Sequence, residues 1–189
     1  MTGMTPVDRS ELLAELFAPS DHAEDWLALT DRVLSVGIVH DWAVRRDCGA
    51  VVLFSGTVRD HADGRPGVSL LEYEAYESQV VPRLAVIAAQ IRLDHRGVGR
   101  VALLHRVGPL AVTEPSVIVA VSSAHRPEAF AAARYGIDAL KATVPIWKRE
   151  HWSGGTDWGL AATQIAEIGN EQGSGAPGVH ESSVHGGRS

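Results

Sequence analysis

The chain has 189 residues, 45% hydrophobic and 21% charged, which is enough apolar material for one domain with a buried core. Its formal net charge of -6 argues against a dedicated nucleic-acid binder, whose basic face would dominate the total. The single cysteine, Cys48, excludes an internal disulfide framework and a cysteine-built zinc site, and suits a reducing compartment.

The opening "MTGMTPVDRSELLAELFAPS" lacks the basic start and unbroken apolar run of a signal peptide. No later stretch approaches the roughly 18 to 20 apolar residues that cross a bilayer, so a cytoplasmic protein is expected. "ELLAELF" and "EDWLALT" read as short helical turns separated at Pro19-Ser20, with Asp21 as a cap. The expected division is an N-terminal extension over 1–32, a domain over 33–168 and a Gly/Ser-rich tail over 169–189. That tail has too few large apolar residues to offset its own ordering entropy.

From Val33 the pattern turns strand-like, in "VLSVGIV" and then "GAVVLFSG", with a short helix in "HDWAVRRDC" between them. "DHADGRPG" concentrates turn residues and predicts a mobile loop leading into the strand "VSLLEYEAY". Ser78 is the expected cap of a helix over "QVVPRLAVIAAQIRL", with Val80, Leu84, Ile87 and Ile91 at helical spacing and Pro82 in the first turn. "RVALLHRVG" alternates as a half-buried strand should, and the continuous apolar run of "SVIVAVSS" predicts a central one. Pro127 opens a second helix whose buried stripe is expected at Phe130, Ala133, Ile137 and Leu140. Pro145 cannot continue that helix and pushes Val144 toward extended geometry, so "PIWKRE" is a strand. The order of elements, with hairpin-like connections, predicts an α+β fold.

Both lysines of the chain lie in "KATVPIWK", Lys141 in a last helical turn and Lys148 on the strand after it; every other basic residue of the Lys/Arg pair is arginine. Guanidinium stays protonated, whereas an amine can lose its proton and act as base or nucleophile. The alternative is two surface lysines, Lys141 merely complementing a helix C-terminus. "SSAHRPE" places His125 and Arg126 where a buried strand meets a helix N-terminus, a position that favours an anion. "FSGTVRDH" ends another strand, with Gly56 allowing close backbone approach and Arg59 at the rim. If these ends adjoin, Arg59, His125, Arg126, Lys141, Lys148 and Arg149 converge into a basic pocket for a phosphate or carboxylate. Against that, Arg59 could pair with Asp60 or Asp63, His125 could be a capping residue, and Arg149 could be solvated beside Glu150. The histidines, His105 among them, show no i, i+4 pairing or carboxylate-bearing metal motif, so no metal site is expected. There is no P-loop and no G-x-S-x-G elbow, and Cys48 precedes its strand with no obvious histidine partner.

In order and spacing, "GAVVLFSGTVRD", "LEYEAY", "HRVG", "SSAHRPEAF", "IDALKATVPIWKRE" and the later "DW" resemble the large, catalytic subunit of molybdopterin synthase, the MoaE family. The resemblance runs from about Val33 to Trp158; "ESQVVPRL" departs from the methionine-alanine usual after "EAY". It implies an α/β-hammerhead fold with a mostly antiparallel sheet, and a homodimer with a ubiquitin-like small subunit at each end, together a heterotetramer. The small subunit would carry sulfur as a thiocarboxylate on its Gly-Gly tail, and two sulfurs would pass to cyclic pyranopterin monophosphate to form the molybdopterin dithiolene. No further cofactor is implied, and a chain with one misplaced cysteine is no obstacle, because sulfur arrives on the partner. The family pattern places substrate and tail at Thr57, Val58, Arg59, His125, Arg126, Lys141, Lys148, Arg149 and Glu150. Lys141 is assigned as general acid/base, Lys148 to transition-state charge and orientation, and Arg59, His125 and Arg126 to phosphate and pterin. Two other readings are a non-catalytic clamp for a ubiquitin-like carrier, and a carrier role for this chain's own "HGG", which Arg188 and Ser189 follow.

Overall fold

The computed structural model describes Pro19 and residues 22–62 and 64–158, so the expected helical turn over "ELLAELF", the expected cap Asp21 and the tail from 169 lie outside the described residues. In chain order the elements are β1 (Asp25–Thr30), α1 (Val36–Ala43), β2 (Ala50–Thr57), β3 (His61–Ala62), β4 (Arg65–Pro66), β5 (Val68–Ala75) and α2 (Glu77–Asp94). They continue with β6 (Val98–Arg106), β7 (Gly108–Ala111), β8 (Pro115–Ser123), α3 (Arg126–Thr143), β9 (Ile146–Trp152) and β10 (Gly155–Trp158). One sheet has the order β1-β6-β8-β2 and a second β10-β9-β5-β7, while β3 and β4 form a small hairpin. Only the β1–β6 pairing is parallel among the described residues. The α+β fold is therefore as the sequence predicts.

The first sheet is covered on both faces, which explains why "SVIVAVSS" is apolar throughout. Val117, Val119 and Val121 of β8, with Val101 and Leu103 of β6, pack under α2 (Val80, Leu84, Ile87, Ile91) and α3 (Ala132, Ala133, Ile137, Leu140). Their neighbours Ala102, Leu104, Ile118 and Ala120 face the other way, onto Trp26 of β1 and Val39 and Trp42 of α1. Each large side chain buried here contributes roughly 1.5–3 kcal/mol, and this two-sided core holds the strand ends and the C-terminal end of α3 in fixed relation.

Four local expectations are corrected. "EDWLALT" is not a helical turn: it forms β1, whose alternate residues Trp26, Ala28 and Thr30 are buried, and Arg92 of α2 donates to the Glu24 carbonyl at 3.1 Å. A boundary at 32/33 thus cuts off a strand of the main sheet. "VLSVGIV" is not a strand. Ser35 caps α1 by accepting from the Ile38 amide at 3.4 Å, so its β-branched residues spell a helical stripe continued by Trp42 and Ala43. Ser78 is not the cap of α2; Tyr76 occupies that position without a side-chain bond, and Pro82 falls in the second turn. Phe130 is 63% exposed, because the stripe of α3 runs through Ala129, Ala132, Ala133, Gly136, Ile137 and Leu140 instead. Small residues there let the helix lie close: a Cβ on Gly136 would sit 3.1 Å from a methyl of Val119. No helix among the described residues is long and apolar enough to cross a membrane.

Candidate active site

A cleft of about 560 Å³ opens between the two sheets, walled by the end of β2, by β5, β6 and β9, and by the last turn of α3. Lys141 reaches it from that last turn, where a cation also complements the helix dipole. Val144 is extended (φ -84, ψ 128) ahead of Pro145, so the chain reverses into β9 and returns Lys148 to the same cleft. On β9, Lys148 lies opposite Tyr73 and Glu150 opposite Leu71, all four on the cleft side. The ammonium of Lys148 is 2.8 Å from the carboxylate of Glu150, a residue only 4% exposed.

Arg59 enters from the end of β2, which is clamped from below. The Val58 amide donates to the Glu114 carbonyl at 3.0 Å, and the Thr113 amide donates to the Val58 carbonyl at 2.7 Å. Thr113 accepts a left-handed conformation (φ 79) to make that contact. Val58 is itself buried in a small core with Val68, Leu71 and Leu110, so it buttresses the site and does not line the cleft, whereas Thr57 does. Gly56 is needed at its position, since a Cβ there would lie 2.6 Å from Val117 Cγ1.

Of the six cations expected to converge, one chain brings together three: Arg59, Lys141 and Lys148. Arg149 points to the opposite face of its strand, where it meets Glu72 and Glu74 at 3.4 Å each and lies 4.5 Å from the centre of the Trp158 ring. His125 and Arg126 lie at the other end of α3, in a separate depression of about 440 Å³ with Gly49 and Ala124. Sixteen residues of helix separate His125 from Lys141, about 24 Å. Within one chain, convergence of these two with the lysines is excluded by that length.

One wall residue was not singled out in the sequence for this site. His105, on β6, is buried and lines the cleft. Its Nδ1 is 2.8 Å from the Arg106 carbonyl, and its ring meets Tyr73 edge-on at 5.1 Å. Burial, joined by the nearby charge of Lys141, pushes the imidazole down from 6.5 to about 4, against the pull of that hydrogen bond. The strand alternation of "RVALLHRVG" puts it on the face of Val101 and Leu103, which was the available signal. Unfolded chain takes up a proton near pH 6.5 and folded chain only near 4. The stability this neutral ring contributes is therefore complete above pH 6.5 and lost as pH falls toward 4. We expect denaturant titrations to show a loss of roughly 3 kcal/mol across that interval, largely absent in His105→Gln.

Residues 29–143 match the MoaE protein family, well over half the chain. The chain belongs to this family. A MoaE relative, the molybdopterin synthase catalytic subunit of Nostoc sp., is 49% identical over 133 residues, spanning 70% of this chain and 80% of that protein. The molybdopterin synthase catalytic subunit of Taeniopygia guttata is 42% identical over 138 residues, 73% of this chain and 88% of that one. Among solved structures, molybdopterin synthase from Staphylococcus aureus superposes with a TM-score of 0.66 at 34% identity, covering 70% of this chain and 96% of its own. The MoaE match begins within β1 and ends at the last residue of α3, so it holds Arg59, His105 and Lys141, while Lys148 and Glu150 follow just beyond it.

Proposed function

We propose that the Arg59–Lys141–Lys148 cleft is where sulfur passes from a small protein's thiocarboxylate tail to cyclic pyranopterin monophosphate. The chain is a catalytic subunit of molybdopterin synthase, a sulfur-transferring enzyme of molybdenum cofactor biosynthesis. The observation that carries the site assignment is electrostatic. In a protein of net charge -6, three cations gather in one cleft, and Glu150, a carboxylate of the same wall, is held by Lys148. Such a cleft suits two anions at once, a cyclic phosphate and a thiocarboxylate.

Each residue then has a task. Arg59, on a clamped strand end, holds the phosphate in place. Lys148, fixed by Glu150, offsets charge as each sulfur bonds to a substrate carbon and that carbon's oxygen leaves, as the phosphate oxygen from one carbon and as water from the other. Lys141, exposed at a helix end with no carboxylate bound to it among the described residues, exchanges the proton these steps require. Glu150 acts on Lys148 and not on substrate. Water then cleaves the acyl–sulfur link, leaving the sulfur on the pterin and a carboxylate on the partner's tail. The clamp alternative loses ground, since the relatives are named for catalysis.

The protein works in the cytoplasm as a homodimer within a heterotetramer with two ubiquitin-like small subunits. Its catalytic domain is that expected over 33–168, extended to include β1. His125 and Arg126, too far from Lys141 in their own chain, complete the cleft of the second copy and bind phosphate or pterin there. Mixing inactive Lys141→Ala with inactive Arg126→Ala tests this. Re-equilibrated mixed dimers contain one intact site, so activity should recover to about a quarter of wild type. No recovery on mixing, or an Arg126→Ala variant with undiminished turnover, would show that this end of α3 serves no shared site.

A further inference from the structure

The cations of the cleft are donors only, and two of its acceptors are already engaged. The Glu150 carboxylate is held by Lys148 at 2.8 Å, and Ser116 Oγ is 3.1 Å from the Gly56 carbonyl, to which it donates. His105 differs from both. The Arg106 carbonyl, 2.8 Å from Nδ1, can only accept, so Nδ1 carries the hydrogen and Nε2 is an unprotonated acceptor. The Nδ1 bond is the only hydrogen bond the ring makes among the described residues. Tyr73, packed edge-on at 5.1 Å, and the surrounding strand fix the plane of the ring. Lys141 lines the same cleft from the end of α3, on a long flexible stem that nothing else described here orients.

We infer that His105 is a positioning residue for Lys141: once substrate occupies the cleft, its Nε2 accepts a hydrogen bond from the Lys141 side chain and so aims the amine at the reacting atoms. The inference rests on the assignment of proton transfer to Lys141. Burial and the charge of Lys141 together keep the imidazole neutral through the range in which the enzyme works, so the acceptor is not lost to protonation. A charged histidine in the same place would repel the ammonium. A neutral one restrains it without competing for its proton.

The two amide side chains separate the two ring nitrogens. In His105→Gln the amide reaches the Nε2 position, whereas in His105→Asn it reaches only that of Nδ1; His105→Phe keeps the ring and loses both. In complexes with thiocarboxylated small subunit, we expect kcat to fall about 10- to 100-fold in His105→Asn and His105→Phe, with KM for the pterin precursor within about threefold of wild type. His105→Gln should restore most of the rate. A purely structural histidine would not make glutamine and asparagine differ in kcat alone. Equal rates for those two variants, or a His105→Phe enzyme with wild-type kcat, would overturn the inference. If His105→Phe does not fold, the glutamine and asparagine pair decides it. Lys141→Ala keeps the two levels apart: an active Lys141→Ala enzyme defeats the assignment of Lys141, whereas an inert one beside an active His105→Asn defeats only the role of His105.

Discussion

Replacing Lys141 by alanine should lower dithiolene formation by about 100- to 10,000-fold while leaving both the fold and the complex with the small subunit intact. The side chain is exposed and sits in the last turn of α3, so its removal opens no cavity and forfeits only a modest dipole interaction. Single-turnover assays beside size-exclusion of the mixed subunits make the two readouts separable. Lys141→Arg then asks what the amine does. A guanidinium supplies fixed charge but cannot give up its proton near neutrality, so if proton exchange is the task, arginine should recover little of the rate. Near-wild-type turnover in Lys141→Arg would reduce the role of Lys141 to electrostatics.

The second large effect concerns Lys148 and couples activity to stability. Glu150 is almost fully buried, with the Lys148 ammonium 2.8 Å from its carboxylate, so Lys148→Ala leaves a buried negative charge undercompensated. Because Lys148 itself remains 33% exposed, water screens part of this and the expected loss is about 2 kcal/mol, below the range for a fully buried pair. The variant should also be nearly inactive. Adding Glu150→Gln to Lys148→Ala removes the buried charge and should return most of the stability while returning none of the rate. Glu150→Gln alone should fold well yet slow turnover, since Lys148 is no longer held. Thermal unfolding and turnover measured on the three variants check this. A double variant that regained activity would mean that Lys148 serves the fold and not the chemistry.

Much of the architecture was legible because its signals are local. Pro127 and Pro145 bracket α3, the apolar run of β8 announces a strand covered on both faces, and Pro145 forces the reversal that returns Lys148 toward Lys141. The misreadings have a common origin in segments whose pattern fits two periods. "EDWLALT" carries too few residues to separate a helical turn from an edge strand, and only its parallel pairing with β6 settles it. "VLSVGIV" is rich in β-branched residues, yet Ser35 and the packing of Val39 and Trp42 override that preference. Phe130 illustrates the cost of weighting size: a stripe of alanines and one glycine faces the sheet instead, because α3 must lie close to β8.

For the site, the two lysines and Arg59 could be found from residue type and strand-end position. The separation of His125 and Arg126 from them follows from helix rise alone, since both ends of one helix of 18 residues cannot meet in one pocket. Arg149 was placed in the pocket by adjacency in sequence, whereas strand alternation turns it away from its neighbours Lys148 and Glu150. His105 is different in kind. Its contact with the cleft depends on how the second sheet packs across the first, and its tautomer depends on a backbone carbonyl, neither of which periodicity reveals.

The most direct measurement is a single turnover with the full chain, a small subunit carrying a C-terminal thiocarboxylate, and cyclic pyranopterin monophosphate, followed by mass analysis of pterin and partner. The pterin should gain two sulfurs, one from each of two partner molecules that return with a carboxylate, and neither change should occur when Arg59, Lys141 and Lys148 are all replaced by alanine. Sulfur still on the partner after complex formation with the wild-type chain, or transfer undiminished in the triple variant, would contradict this.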